Sequence, residues 1–201
     1  MKHSNSRTAR SFTLFGVTLP TVALMLLAAG NAAGASTDNR APDVPPGLVV
    51  PEGNRVSFHA YAVGVQIYGA TVNTNSPTGF AWVFRAPEAV LFDADGNVVG
   101  HHYAFAGPTR PAWESESGSR VVGARTVPGV TVNSNAIPWL ILSAVETNTV
   151  GPGIFARTTY IQRVNTTGGL APAAPPTAAG QTARVAYTAE YFFYQIGRAH
   201  V

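Results

Sequence analysis

From about residue 53 onward the chain is a succession of apolar stretches separated by turn signals, and several of these stretches alternate apolar and polar positions with period 2. Near the C-terminus Val185, Tyr187, Ala189, Tyr191 and Phe193 share one face. Arg184, Thr188, Glu190 and Tyr194 lie on the other, with Ala186 and Phe192. Phe80, Trp82 and Phe84 form an aromatic face opposite Ala81, Val83 and Arg85, and residues 137–145 are apolar on both faces, as in a central strand. The pattern predicts strands over 56–68, 79–85, 89–93, 98–104, 120–126, 138–146, 154–164 and 184–195. About eight strands in one domain predict an all-β fold, either an antiparallel β-sandwich or a β-barrel.

The intervening segments fit that reading. Asp93 to Asn97 sits between two apolar runs as a hairpin loop in which Gly96 is free to take positive φ. Gly168 to Gly180, rich in Pro and Ala, has neither period and reads as a long surface loop. Residues 36–52, with Pro42, Pro45 and Pro46, read as an extended leader into a β-domain spanning 53–195, and there is no internal repeat. The 20 Gly and 15 Pro among 201 residues speak for turns rather than long helices.

The N-terminus has a different character. Lys2, Arg7 and Arg10 precede an apolar run from Phe12 to Ala29, and Ala33, Gly34 and Ala35 offer small residues for cleavage. This predicts a signal peptide over 1–35, cleavage near Ala35, and export to the periplasm or the exterior. The competing reading is an uncleaved anchor, since the apolar run is near the lower limit for a spanning helix. Pro20 and the small-residue site favour cleavage, and no later segment is predicted to span a membrane in the mature chain. Export permits disulfides, yet the chain has no Cys. A core must hold it, and a mature chain of about 160 residues can bury roughly 70% of its unfolded surface.

Charge narrows the partners. The net charge of +3 suggests a nucleic-acid or anionic-membrane binder, but the excess sits at the ends: residues 36–195 hold nine Arg against ten Asp and Glu. No basic binding surface, and hence no nucleic-acid partner, is predicted.

Candidate chemistry is sparse. Of the central histidines, His59, His101 and His102, the adjacent pair points to opposite faces of a strand and is poorly placed to share one ion. His59, His101 and Asp93 are the weak metal candidates, with Glu114 as a further acid, but nothing in their spacing demands a metal, and the reading is that none is bound. Asp93 and Asp95 imitate the start of a calcium loop, but its twelfth position falls on Ala104, so a turn is predicted. Glu114 and Glu116 have the spacing for paired acid/base work on one strand face, against the simpler reading of a polar Ser- and Gly-rich loop. No nucleophile elbow, zinc-protease helix, phosphate-binding loop or dinucleotide fingerprint is present, and no cofactor is expected. Asn165, Thr166 and Thr167 fit a glycosylation sequon, which in a bacterial chain would carry no meaning.

Several segments together resemble a known family. G-V-Q-I-Y at 64–68, A-W-V-F-R-A-P-E-A at 81–89, L-F-D-A-D-G-N-V-V-G-H-H-Y at 91–103, G-P-T at 107–109, W-E at 113–114, I-P-W-L at 137–140, Y-I-Q-R-V-N-T-T-G-G at 160–169 and Y-T-A-E-Y-F-F-Y at 187–194 occur in order. They resemble the exported bacterial and fungal proteins grouped as domain of unknown function 3455, over about residues 42–195. The resemblance implies an exported β-rich domain without an established activity. Some fungal relatives carry a malate dehydrogenase label, which this chain, lacking a dinucleotide fingerprint and βαβ alternation, does not support. The family usually carries a Cys shortly after G-V-Q-I-Y and another before the final strand, implied to pair. Those places fall near Ala70 and Ala174 here, so a bond of the kind that contributes roughly 3 to 5 kcal/mol is missing. Arg110, Pro111 and Ala112 precede Trp113 where relatives run G-P-T-W-E, and Ser117-Gly118-Ser119 replaces D-G-S. Residues 196–201 resemble the translation of a sequencing adapter and are set aside.

The functional expectation is a non-enzymatic exported domain that binds a small molecule, a glycan or an envelope partner. Its site is expected around Gln66, Tyr68, Trp82, His101, Tyr103 and Trp113, which combine aromatic bodies with polar tips. The alternative is a hydrolase or metal-assisted enzyme using His59, His101, Asp93 and Glu114, which requires those groups to converge in one cleft.

Overall fold

A computed structural model of the protein describes residues 40–108, 110–148 and 153–197. The expected signal peptide and its cleavage point lie outside the described residues. Within them the chain forms eight strands: β1 (Asn54–Val72), β2 (Phe80–Phe92), β3 (Val98–Ala104), β4 (Pro111–Ser115), β5 (Arg120–Arg125), β6 (Leu140–Asn148), β7 (Tyr160–Gly168) and β8 (Thr182–Ile196). Each pairs antiparallel with the next and β8 returns to β1, closing an up-and-down barrel. Of the two all-β architectures, the barrel is the one adopted. Among the described residues no helix is long and apolar enough to cross a membrane.

The strand count was legible, but its division was not. The segments expected at 79–85 and 89–93 are one strand, β2, running through Pro87. The proline is tolerated because it pairs with Gln66 on β1 at a level where β3, which first pairs at Glu88, has not yet begun. The missing strand is β4, five residues that read as a polar loop because two of its neighbours in sequence, Glu116 and Ser117, belong to the β4–β5 turn. The strand expected at 154–164 starts only at Tyr160. Residues 154–157 instead form turns that drive Phe155 into the barrel, where it is wholly buried and its N–H donates to Ser119 Oγ at 3.0 Å. β8 extends through Ile196, which pairs with Asn54, so the first of the residues set aside as a tail is part of the last strand.

Nineteen residues of β1 can serve two neighbours only by coiling. A bulge at Ile67/Tyr68 and Gly64 provide this, for a Cβ on Gly64 would stand 2.1 Å from the Glu88 carbonyl oxygen.

Two apolar clusters result. The larger fills the barrel with Ala60, Ala62, Ala89, Leu91, Trp113, Val121, Leu142, Ile161, Tyr191 and Phe193, among others. The smaller lies on the outer wall, where Val56, Val164, Phe192 and Tyr194 are covered by Val44 and Val50 of the leader. Among the described residues of the leader, Val44, Leu48 and Val50 are therefore packed on the barrel. The 3-10 turn of the leader, Pro46–Leu48, buries Leu48 completely, and the Leu48 carbonyl accepts from Gln162 Nε2 at 2.6 Å. Tyr194 donates to the Oε1 of the same glutamine. Burying one Leu side chain is worth about 1.5 to 3 kcal/mol.

Candidate functional site

Strand register assigns every side chain to the inside or outside of the barrel. Ala62 faces Leu91, Gly64 faces Ala89 and Tyr187, and Gln66 faces Pro87 and Val185, so these positions point inward. By the same register His102 and Trp113 point inward, while His101, Glu114 and Tyr103 point outward. One half of the interior, the dry half, is dominated by apolar rings. Phe58 and Phe193 both pack on Phe155, at ring separations of 6.1 and 4.5 Å.

The other half, toward the loops at 126–139 and 169–181, is polar. Gln66 is 3% exposed, and its Nε2 has no protein hydrogen-bond partner. The same holds for the hydroxyls of Tyr187 and Tyr191 and for Trp113 Nε1. Tyr68 is satisfied, donating to the Gly169 carbonyl at 2.6 Å. Gly169, at φ +78°, lies so close that a Cβ there would meet Tyr187 Cβ at 2.9 Å, Ile137 at 3.0 Å and Gln66 at 3.1 Å. This close approach is what lets the β7–β8 loop seal that end of the barrel.

Arg163 belongs to this half. It sits opposite Tyr191 on β8 and Leu140 on β6, both on the inner side, and donates from Nε and Nη2 to the Pro138 carbonyl at 3.2 and 2.7 Å. Its charge reaches the surrounding groups. Burial pushes the Tyr68, Tyr187 and Tyr191 hydroxyls up from their ordinary pKa, and Arg163 partly offsets this in each case. Burial also drives His102 down to about 3, with Arg163 adding to the shift and the bond to Ala112 opposing it. His102 is thus neutral. Its Nδ1 lies 2.8 Å from the Ala112 carbonyl, which can only accept, so Nδ1 carries the proton and Nε2 is an acceptor. The ring stacks on Trp113 at 4.5 Å and lies 5.1 Å from Tyr191.

The sequence-predicted site residues do not form one cluster. Gln66, Tyr68 and Trp113 share the interior. Trp82 lies at the rim, donating to the Ala174 carbonyl at 2.9 Å and lining a cleft of about 420 Å³ with Pro172, Pro175, Pro176 and Gln181. A second cleft, of about 390 Å³, opens at the opposite end beside Arg55, Arg157 and Ile196. His101 and Tyr103 are on the outer wall. His101 makes an exposed pair with Glu116 at 3.2 Å, and Tyr103 donates to Glu114.

The groups proposed for catalysis do not converge either. His59 meets Glu190 at 3.0 Å on the outer wall, while Asp93 Oδ1 accepts from the Asp95 and Asn97 amides at 3.0 and 2.8 Å in its hairpin. Gly96 takes φ +83° in that turn. Among the described residues no three His, Cys, Asp or Glu side chains gather as a metal ion requires.

Sequence reasoning missed Arg163, Tyr187, Tyr191 and His102. The signal was available for the tyrosines, which alternate with Ala189 and Phe193 on one face, and for Arg163, which the same alternation places on the face of Ile161.

The family model described as protein of unknown function, DUF3455, matches residues 51–195. The chain belongs to that family. A search of curated proteins returned no match. The DUF3455 match spans the barrel from the end of the leader to the penultimate residue of β8. The two positions where the resemblance implies a cysteine pair, near Ala70 and Ala174, lie against the same indole in this DUF3455 chain. Ala70 is the cross-strand partner of Trp82, and Ala174 accepts its N–H.

Proposed function

We propose that this protein is an exported, non-enzymatic binding domain that holds a small molecule within the polar half of its barrel. The observation that carries the reading is the set of buried, unpaired polar atoms on Gln66, Trp113, Tyr187 and Tyr191. A buried polar atom without a partner costs about 1 to 3 kcal/mol, so a cluster of four is poor architecture unless something else completes it. Eight-stranded barrels have interiors of a size to be filled by side chains or to hold one small ligand. The outer wall supports a barrel in water: it carries pairs such as Glu88–Arg184 at 2.6 Å and Arg110–Glu146 at 2.8 Å, the reverse of a lipid-facing surface. A glycan is the second reading, favoured by the rim cleft in which Trp82 lies among three prolines.

Native mass spectrometry of the protein purified from the exported fraction tests the proposal. A small molecule retained at one per chain supports it, and its release on Gln66→Leu substitution places it in the barrel. A uniform apo mass, together with no bound compound after incubation with an extract of the source medium, overturns it.

A further inference from the structure

We infer that the ligand of the interior site carries a carboxylate, and that the Arg163 guanidinium is its counter-charge. The inference rests on the binding reading above and adds the ligand's chemical class. Its first support is the distribution of charge. The acidic residues of the strands, Glu88, Glu114, Glu146 and Glu190, all face outward by register, and each has a basic or hydroxyl partner there. Asp93, Asp95 and Glu116 lie in turns. Arg163 points inward, and among the described residues no carboxylate pairs with it.

A buried or half-buried cation is normally matched by an anion, because taking it out of water is otherwise costly. The Arg163 hydrogen bonds of good geometry go to the Pro138 carbonyl, a dipole, which engages two of the five N–H donors of its fork, and the neutral Tyr191 hydroxyl lies within its reach.

The second support is the donor character of the unpaired atoms. Gln66 Nε2 and Trp113 Nε1 can only donate, and burial raises the Tyr187 and Tyr191 hydroxyls above their ordinary pKa, which keeps their donor protons in place. Tyr187 lies within reach of Gln66 and Tyr191, and Tyr191 within reach of Arg163, but these contacts fall short of good hydrogen-bond geometry and bring no anionic acceptor to the donors. The partner that completes such a set is rich in acceptors and negatively charged. A carboxylate has two oxygens and about four lone-pair sites, and it matches the planar guanidinium fork. Sulfate and phosphate also offer acceptors, but Ile137 and the rings of Trp113, Tyr187 and Tyr191 belong to the same buried cluster, surroundings that favour an anion with a carbon body.

The experiment compares matched acid and amide probes: benzoate with benzamide, octanoate with octanamide, and acetate with acetamide, each titrated into the full-length protein by calorimetry at constant chloride. At least one acid is expected to bind at one per chain and at least tenfold more tightly than its amide. Arg163→Gln should abolish that preference, and Arg163→Lys, which keeps the charge and loses the fork, should retain part of it. Tyr187→Phe removes one hydroxyl without altering the ring, and should weaken acid binding several-fold in a protein whose circular dichroism is unchanged. An amide that binds as well as its acid overturns the carboxylate assignment and leaves the binding reading standing. An acid preference that survives in Arg163→Gln overturns the role of Arg163. Failure of all six probes overturns both.

Discussion

The two halves of the barrel interior are built from the same strands and obey different rules. Around Phe58, Phe155, Phe193 and Leu91 the large inward side chains are apolar and their ring contacts close the space, with Ser115 and Ser119 as small polar groups beside them. A few residues further along the same strands, β1 presents Gln66 instead of Phe58, and β8 presents Tyr187 instead of Phe193. The first half buries few polar groups, its serines being hydrogen-bonded, and holds the fold together. The second leaves donors unpaired, which is tolerable only because the first is dense. The contrast teaches where to look for stability and where to look for binding in a chain with no catalytic motif.

The contrast can be broken most severely in the dry half. Phe193→Ala should cost about 3 to 5 kcal/mol, read as a shift in the urea midpoint, because it opens a cavity among rings that cannot collapse onto one another. A loss below about 1 kcal/mol would mean that the dry half is not the stabilising one. Leu48→Ala, on the leader outside the barrel, should cost about 2 to 4 kcal/mol and expose residues near 40–50 to limited proteolysis.

Acid probes the boundary between the halves. His102, packed against Trp113, Tyr191 and within reach of Arg163, resists protonation in the fold down to about pH 3, whereas an unfolded histidine takes its proton near 6.5. The unfolded state therefore binds more protons as pH falls from about 6.5 to 3, and stability should drop by up to about 1.4 kcal/mol per pH unit in that window. His102→Gln should flatten this slope in urea titrations at pH 4 and pH 7.

In the polar half the expected sign reverses. Gln66→Met removes an unpaired buried donor and should stabilise the ligand-free protein by about 1 kcal/mol while weakening binding. Destabilisation by a similar amount would show that the amide is already satisfied and that the polar half is ordinary core. The smallest effect is expected on the outer wall. Glu88→Gln breaks the exposed pair with Arg184 and should leave the urea midpoint unchanged.

Much of the fold was legible because period-2 alternation is a local property. It assigned the inward face of β8 from Val185 to Phe193 and placed His101 and His102 on opposite faces, as the structure has them. It failed where tertiary context overrides local pattern. Pro87 looks like a break until the neighbour that would need its N–H proves absent at that level. Phe155 looks like part of a strand, yet it is a plug inserted from turns. The site was less legible for the same reason. His101 and Tyr103, like Gln66 and Trp113, lie in segments that carry the family resemblance, but only the strand register decides which of them look inward. Arg163 was hidden by its surroundings, one charged residue in an otherwise ordinary strand, and its significance appears only once the carboxylates are seen to face the other way.

Closure of the barrel also fixes the order of events as the chain is made. The seam joins β1 to β8, and Ser57 donates to a carbonyl 136 residues away, at Phe193. A chain emerging from its N-terminus therefore carries β1 with one edge unpaired until the last strand is complete. Folding of this kind is slow, on the order of milliseconds to seconds, since loop closure must precede the contacts that reward it. A protein truncated before Thr182 would keep two long open edges, each a template for another chain, and is expected to form aggregates rather than a smaller barrel.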